Sequence, residues 1–229
     1  MSAKSDVCSL TDRKGVCVTD TIEPATATDG RPYHHGDLRH ALIQAAREIV
    51  IRDGAQALSL RGVAREAGVS PAAPYHHFKD KQELVLAVGQ LGFEELGVVM
   101  EQELAKCSDD PHERLTTIGV AYVLFARDKP ALYRLMYDCA RNMEALPPDV
   151  HEKDHSSYAI VRSAMIAAGL ADADDPVGIE LATTAGWCAA HGVAEMGGFA
   201  QFDPLKSAVG GELNFYRELL KRTGAFSAR

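Results

Sequence analysis

Two stretches of this chain carry residue types at spacings that could do chemistry. One is His151-Glu152-Lys153-Asp154-His155, which fits H-E-x-x-H. Two imidazoles one helical turn apart can share a zinc ion while the Glu acts as general base, the chemistry of a metal-dependent hydrolase. Pro147-Pro148-Asp149 just ahead places the motif on the exposed first turn of a helix, and Lys153 and Asp154 between the ligands are solvated types. Glu180 is available as a third ligand, but nothing anchors it there. With 9 His and 15 Glu in the chain, a fortuitous surface match is the better account. No catalysis, metal or cofactor is therefore expected.

The other stretch is Ser59 to Lys81, SLRGVAREAGVSPAAPYHHFKDK. It reads as two short helices joined by a turn. Such a corner needs a small residue where the helices cross and a permissive residue at the turn; Ala64 and Gly68 supply them. Val63, Ala67 and Val69 can pack the corner onto Ile49 and Val50. This is the helix-turn-helix plan, whose second helix enters the DNA major groove. A helical scaffold that binds no DNA is the rival, since short helical corners are common.

Charge distribution favours DNA. The 229 residues carry a net charge of −8, which would count against a nucleic-acid partner if it were evenly spread. It is not: residues 31–85 hold eight Lys and Arg against six Asp and Glu, so all the acidic excess lies elsewhere. Five of the nine histidines, His34, His35, His40, His76 and His77, also fall there and could protonate beside phosphates.

The elements that must position these groups are helical. Met1 to Gly30 is a polar flexible tail without an apolar leader, and no run of 18 apolar residues occurs, so no membrane partner and a cytoplasmic location are expected. Five widely spaced cysteines without Cys-x-x-Cys fit a reducing compartment. Leu38, Leu42, Ala45, Ala46, Ile49 and Val50 mark one face of a first helix, ended by Gly54. Ser59 caps a second, Ser70 with Pro71 a third, and Asp80 a fourth running to about Lys106. Gly89, Gly92 and Gly97 within that fourth helix mark either a hinge or tight packing. Further helices are read over about residues 112–128, 130–138, 149–168, 176–198 and 211–223, with Pro111, Pro130, Pro147, Pro148, Pro176 and Pro204 between them. The fold class is all-α, with about nine helices.

Three segments carry a family resemblance: Tyr33-His34-His35-Gly36-Asp37-Leu38-Arg39, Val63-Ala64-Arg65-Glu66-Ala67-Gly68-Val69-Ser70, and Tyr75-His76-His77-Phe78-Lys79-Asp80-Lys81. Arg31 to Val88 resembles the DNA-binding domain of the tetracycline-repressor-like (TetR) family of bacterial regulators. Trp187, His191 and Gly192 resemble the family branch named for a Trp-His-Gly motif. The resemblance implies a tail at 1–30, a three-helix helix-turn-helix domain at 31–85, and a helical bundle at 86–229 for effector binding and dimerisation. It implies double-stranded DNA, a second copy of the chain and a small-molecule effector as partners, and a repressor acting on a palindromic operator.

Residue roles follow from the resemblance and from chemistry together. Ser59, Ser70, Tyr75 and Lys81 are expected on phosphate, Lys81 at a helix start where free N–H groups assist. Arg61, Pro71, Ala72, Ala73 and His76 are expected on bases. Arg61 suits guanine O6 and N7, and the alanines suit a thymine methyl. His77 is either a contact or a packing residue, and Phe78 is a packing residue. Pro74, where most relatives have Leu, has no N–H to donate and biases Ala73 away from helical geometry, so the recognition helix should start irregularly. Tyr122, Phe125, Met136, Tyr137, Tyr158, Met165, Trp187 and His191 are the candidate effector-pocket residues. Trp187 and His191 share a helix face and either line that pocket or pack as a satisfied pair. Tyr133 is read as core. Ala182, Ala185, Gly186, Ala189 and Ala190 are read as a close-approach seam between two copies.

Overall fold

The computed structural model describes residues 35–141 and 156–226. Among them lie nine α-helices and no strand: α1 (His35–Asp53), α2 (Leu60–Glu66), α3 (Lys81–Leu104), α4 (Pro111–Asp128), α5 (Pro130–Arg141), α6 (Ser157–Ala167), α7 (Pro176–Met196), α8 (Asp203–Ala208) and α9 (Glu212–Arg222). The helix starts obey local chemistry. Ser59, Asp80, Asp110, Ser156 and Asp175 each accept a backbone N–H from the first turn of the helix they precede. At α3 the arrangement is reciprocal: Asp80 accepts from Glu83 N at 2.9 Å, and Glu83 accepts from Lys79 N at 2.8 Å. Gly54 (φ 84°) and Gly68 (φ 68°) occupy the left-handed region at the two turns expected to need it.

The count of nine is reached differently from the expected one. The third expected helix is a single 3-10 turn, Ala73–His76, with no side-chain cap, so Ser70 does not cap an α-helix. Pro74, which cannot donate to an α-helical ladder, is buried in that turn. In exchange, Pro204 does not separate helices: it sits in the first turn of α8, where a missing N–H is harmless.

One apolar core runs from Leu42 on α1 through to Phe226. Helix α3 is its spine, packing against α1, α4, α5 and α6, while α4 packs against α7 and α9. It crosses the expected 85/86 boundary without a break. Its glycines are contact points: a Cβ on Gly89 would lie 3.0 Å from Cys139 Sγ, and one on Gly92 would lie 2.6 Å from Met136 Cγ. Both neighbours belong to α5, so tight packing accounts for these two glycines. Gly92→Ala gains about 1 kcal/mol of helix propensity but overpacks a fully buried Met136 by about 1–3 kcal/mol. A net fall in melting temperature is expected by circular dichroism; an unchanged or higher one would show that α5 yields freely.

Helix α7 divides by face. Ile179, Thr183, Gly186, Ala190 and Val193 are buried within the chain, and a Cβ on Gly186 would lie 2.1 Å from Met165 Cε. Gly186 and Ala190 are therefore spent on internal packing and cannot serve a seam with a second copy. The opposite face leaves Val177, Leu181 and Met196 exposed.

Candidate nucleic-acid interface and aromatic core

Helix α2 turns against α1 on buried Val50, Val63 and Ala64. The turn closes through Val69 N to Ala64 O at 2.9 Å. Arg52 of α1 fixes the crossing by binding Glu66 at the end of α2 through both guanidinium Nη atoms, at 2.9 and 3.1 Å. That bond holds the Glu66 carboxyl below the usual carboxylate range. Phe78 is buried, with Arg39 Cζ 5.1 Å from its ring centroid, so it packs rather than contacts.

The corner presents the expected contact residues outward. Ser59, Arg61, Ser70, Pro71, Ala72, Tyr75, His76 and Lys81 are exposed, while Ala73 and His77 are half-buried. Tyr75 keeps 55% of its surface accessible, unusual for an aromatic side chain in a closed turn. Among the described residues, Arg61, Arg65, Lys79 and Lys81 form no ion pair, whereas Arg127, Arg217 and Lys221 of the later helices are each bound to a carboxylate. Arg65 and Lys79 thus join the sequence-read set. Their adjacency to the corner was legible, but the absence of a contact ion pair was not.

A second constellation lies among α3, α4, α5, α6 and α7. Trp187 Nε1 donates to Tyr137 Oη at 2.6 Å, and Tyr137 bonds Tyr122 Oη. Tyr122 and Tyr133 hydroxyls are 3.2 Å apart, and Tyr133 Oη lies 2.6 Å from His191 Nδ1. Burial pushes the Tyr122, Tyr133 and Tyr137 hydroxyls up, Tyr133 to about 12, so each keeps its proton at neutral pH. Indole N–H can only donate, so Trp187 donates to Tyr137; the three hydroxyls and His191 Nδ1 share the remaining bonds, and Tyr122 Oη also lies 3.2 Å from His191 Nδ1. Phe93 of α3 and Tyr158 of α6 add ring contacts to Trp187 at 6.3 and 6.2 Å.

Of the expected pocket residues, the structure gathers Tyr122, Tyr137, Tyr158, Trp187 and His191. Phe125 lies outside the ring cluster, beneath Lys129 Nζ at 4.9 Å. Met136 packs under Gly92, and Met165 packs under Gly186. Phe93 was missed, and Tyr133, grouped with these residues but read as core, joins them. Tyr133 and Tyr137 are one turn apart on α5, a spacing that could have paired them. Trp187 and His191 are both partnered internally. The void beside Tyr122 and Trp187 measures only about 10 Å³, room for about one water. The segment 151–155, with its H-E-x-x-H pattern, lies outside the described residues. Among the described residues no cluster of His, Cys, Asp and Glu could hold a metal.

Comparison with known proteins follows the same division. Residues 42–88 match the family described as "Bacterial regulatory proteins, tetR family", and residues 115–213 match "Tetracyclin repressor-like, C-terminal domain". The chain belongs to the TetR family. The HTH-type transcriptional regulator BetI of Brucella canis is 36% identical over 102 residues, 43% of this chain and 51% of the relative. BetI of Rhizobium meliloti is 33% identical over 112 residues, 46% of this chain and 53% of the relative. The TetR-family chain thus spans about half the length of the curated relatives it matches. Among solved structures, a protein of unknown function from Rhodococcus sp. RHA1 is 29% identical with a TM-score of 0.59, covering 86% of this chain and 96% of that one. RolR, solved in complex with resorcinol, shares the fold at 20% identity and a TM-score of 0.55, covering 84% and 97% of the two chains.

Proposed function

We propose that the chain is a homodimeric, effector-responsive transcriptional repressor that acts in the cytoplasm. Residues 31–85 bind double-stranded DNA, and residues 86–229 bind a small molecule and dimerise. The observation that carries this reading is the exposed corner at Ser59–Lys81, whose four cations form no ion pair among the described residues. A cation already bound to a carboxylate has little to offer a phosphate; these four are available for it.

Two heads must reach successive major grooves about 34–36 Å apart, which requires a dimer and a palindromic operator. An effector acts by favouring a head separation that cannot span that distance. The test is fluorescence anisotropy with genomic fragments recovered on the protein. Affinity should fall with salt at a slope of about −0.9 per phosphate neutralised. A salt-independent signal, or none, would favour the scaffold reading.

Two substitutions separate the roles within the corner. Lys81→Ala should weaken binding to all sequences alike and flatten the salt slope by about one phosphate. Arg61→Ala should cost about 1–3 kcal/mol and relax preference at one base pair per half-site. Uniform weakening by Arg61→Ala would move that residue to the phosphate class.

A further inference from the structure

Phe226 is only 3% exposed, yet its backbone is not held as that of other buried residues is. Leu58, Phe78 and Ala168 also lie outside the α-helices, and each donates a backbone hydrogen bond, to Ala55 O, Pro74 O and Ala164 O. After α9 the last backbone bond among the described residues runs from Thr223 N to Leu220 O at 3.1 Å. Residues 224–226 form none with any described residue. Gly224 makes the turn at φ 74°, exposed, with open space where a Cβ would stand. The segment is therefore tied down by one aromatic ring, with half-buried Ala225 beside it.

Helix α4 is shaped to take that ring. A Cβ on Gly119 would lie 2.6 Å from Phe226 Cε1 and 3.0 Å from Cζ, so the missing side chain is what seats it. The ring also walls the small void beside Tyr122 and Trp187, together with Met100, Ile118, Val161 and Ala190. No charged side chain borders that void. Tyr122 and Trp187 both spend their polar atoms on Tyr137. Swinging 224–226 outward about Gly224 breaks no helix and no backbone bond. It joins the ring's own volume to the void and leaves an apolar cavity the size of one aromatic ring. Cavities lined in this way stay dry and take up benzene-like molecules.

We propose that Phe226 is a tethered stopper in a ring-sized binding site, whose external ligand is an uncharged aromatic hydrocarbon. The ligand enters as Phe226 leaves. One ring passes from water into protein while another passes out, so the exchange nearly conserves buried apolar area. A carboxylate or ammonium group would carry its charge into a space with no opposite charge. A hydroxyl would find no free partner there. Binding is read on the protein alone, so this site is tested independently of the repressor reading.

The full-length protein is labelled with 4-fluorophenylalanine at its seven Phe positions, and Phe226→Leu identifies the fluorine resonance of residue 226. Titration with toluene should move that resonance saturably toward the position of the solvent-exposed amino acid. Phe226→Ala should bind toluene at least tenfold more tightly than wild type, because the wild-type site is open only while the stopper is out. Phenol, benzoate and benzylamine should each bind that variant at least tenfold more weakly than toluene does. Circular dichroism checks that Phe226→Ala is folded; if it is not, the wild-type titration decides alone. A wild type that binds no toluene, or a residue-226 resonance that keeps its buried position at toluene saturation, would overturn the stopper and leave Phe226 a fixed core residue. Phenol, benzoate or benzylamine binding as tightly as toluene would overturn the hydrocarbon class.

Discussion

Leu181→Glu should convert the protein to monomers and abolish tight DNA binding while leaving each chain folded. Leu181 is 67% exposed on α7, and Val177 one turn before it is 68% exposed. Met196 at the end of α7, Phe199 beyond it and Leu213 on α9 are exposed as well. No described residue covers this face, whereas Ile179, Thr183, Gly186, Ala190 and Val193 opposite are buried. Burying one leucine on association contributes about 1.5–3 kcal/mol. In a two-fold dimer every substitution counts twice, and the introduced carboxylates would be brought near each other. The dimer dissociation constant should therefore rise by a factor of at least about 100, which sedimentation equilibrium would read. Operator affinity should fall with it, because a monomer reaches one half-site. The helical melting temperature should hardly move, since Leu181 makes little contact within the monomer. A dimer that survives the substitution would move the seam off this face.

The fold and the exposed corner at Ser59–Lys81 were largely legible because they rest on local chemistry. Ser59 and Asp80 cap helices by their own side chains, and Gly54 and Gly68 mark turns that no other residue adopts as readily. The recognition segment was half legible. Pro74 announced an irregular start, but not that the whole segment would shrink to one 3-10 turn. The aromatic core was the least legible part because it is assembled from five helices. Trp187 and His191 share a face by their spacing alone. That this face meets Tyr122, Tyr133 and Tyr137 depends on how α4, α5 and α7 pack, which periodicity does not specify. Small residues misled for a related reason. Gly186 and Ala190 permit close approach, but sequence does not say whether the neighbour is Met165 of the same chain or a second copy.

Glu95→Gln should loosen the connection between the helix-turn-helix head and the aromatic core, and its effect should disappear in acid. Glu95 on α3 receives both Nε and Nη2 of Arg47 from α1, the latter at 2.8 Å, and Lys129 Nζ at 2.8 Å. One carboxylate thus ties the first helix of the head to the junction of α4 and α5. The same α5 carries Tyr133 and Tyr137 and also packs directly against α1. Burial pushes the Glu95 carboxyl up, but the bonds from Arg47 and Lys129 outweigh it and hold it below the usual range. A carboxylate with a lowered pKa in the folded state stabilises above its unfolded value, near 4.3, and that contribution is lost as pH falls through the lowered one. At pH 7 the substitution leaves two half-buried cations sharing an amide. Partial exposure limits the loss to about 1–2 kcal/mol, read as a lower urea midpoint. As pH falls below about 4.3 and through the lowered folded-state value, the wild-type and variant midpoints should converge. If this link also transmits the effector signal, the ratio of operator affinities with and without effector should shrink in the variant, although residue 95 touches neither DNA nor the aromatic core. A variant with the lower midpoint but an unchanged ratio would confine the ion cluster to stability. The signal would then have to pass through the direct packing of α5 on α1.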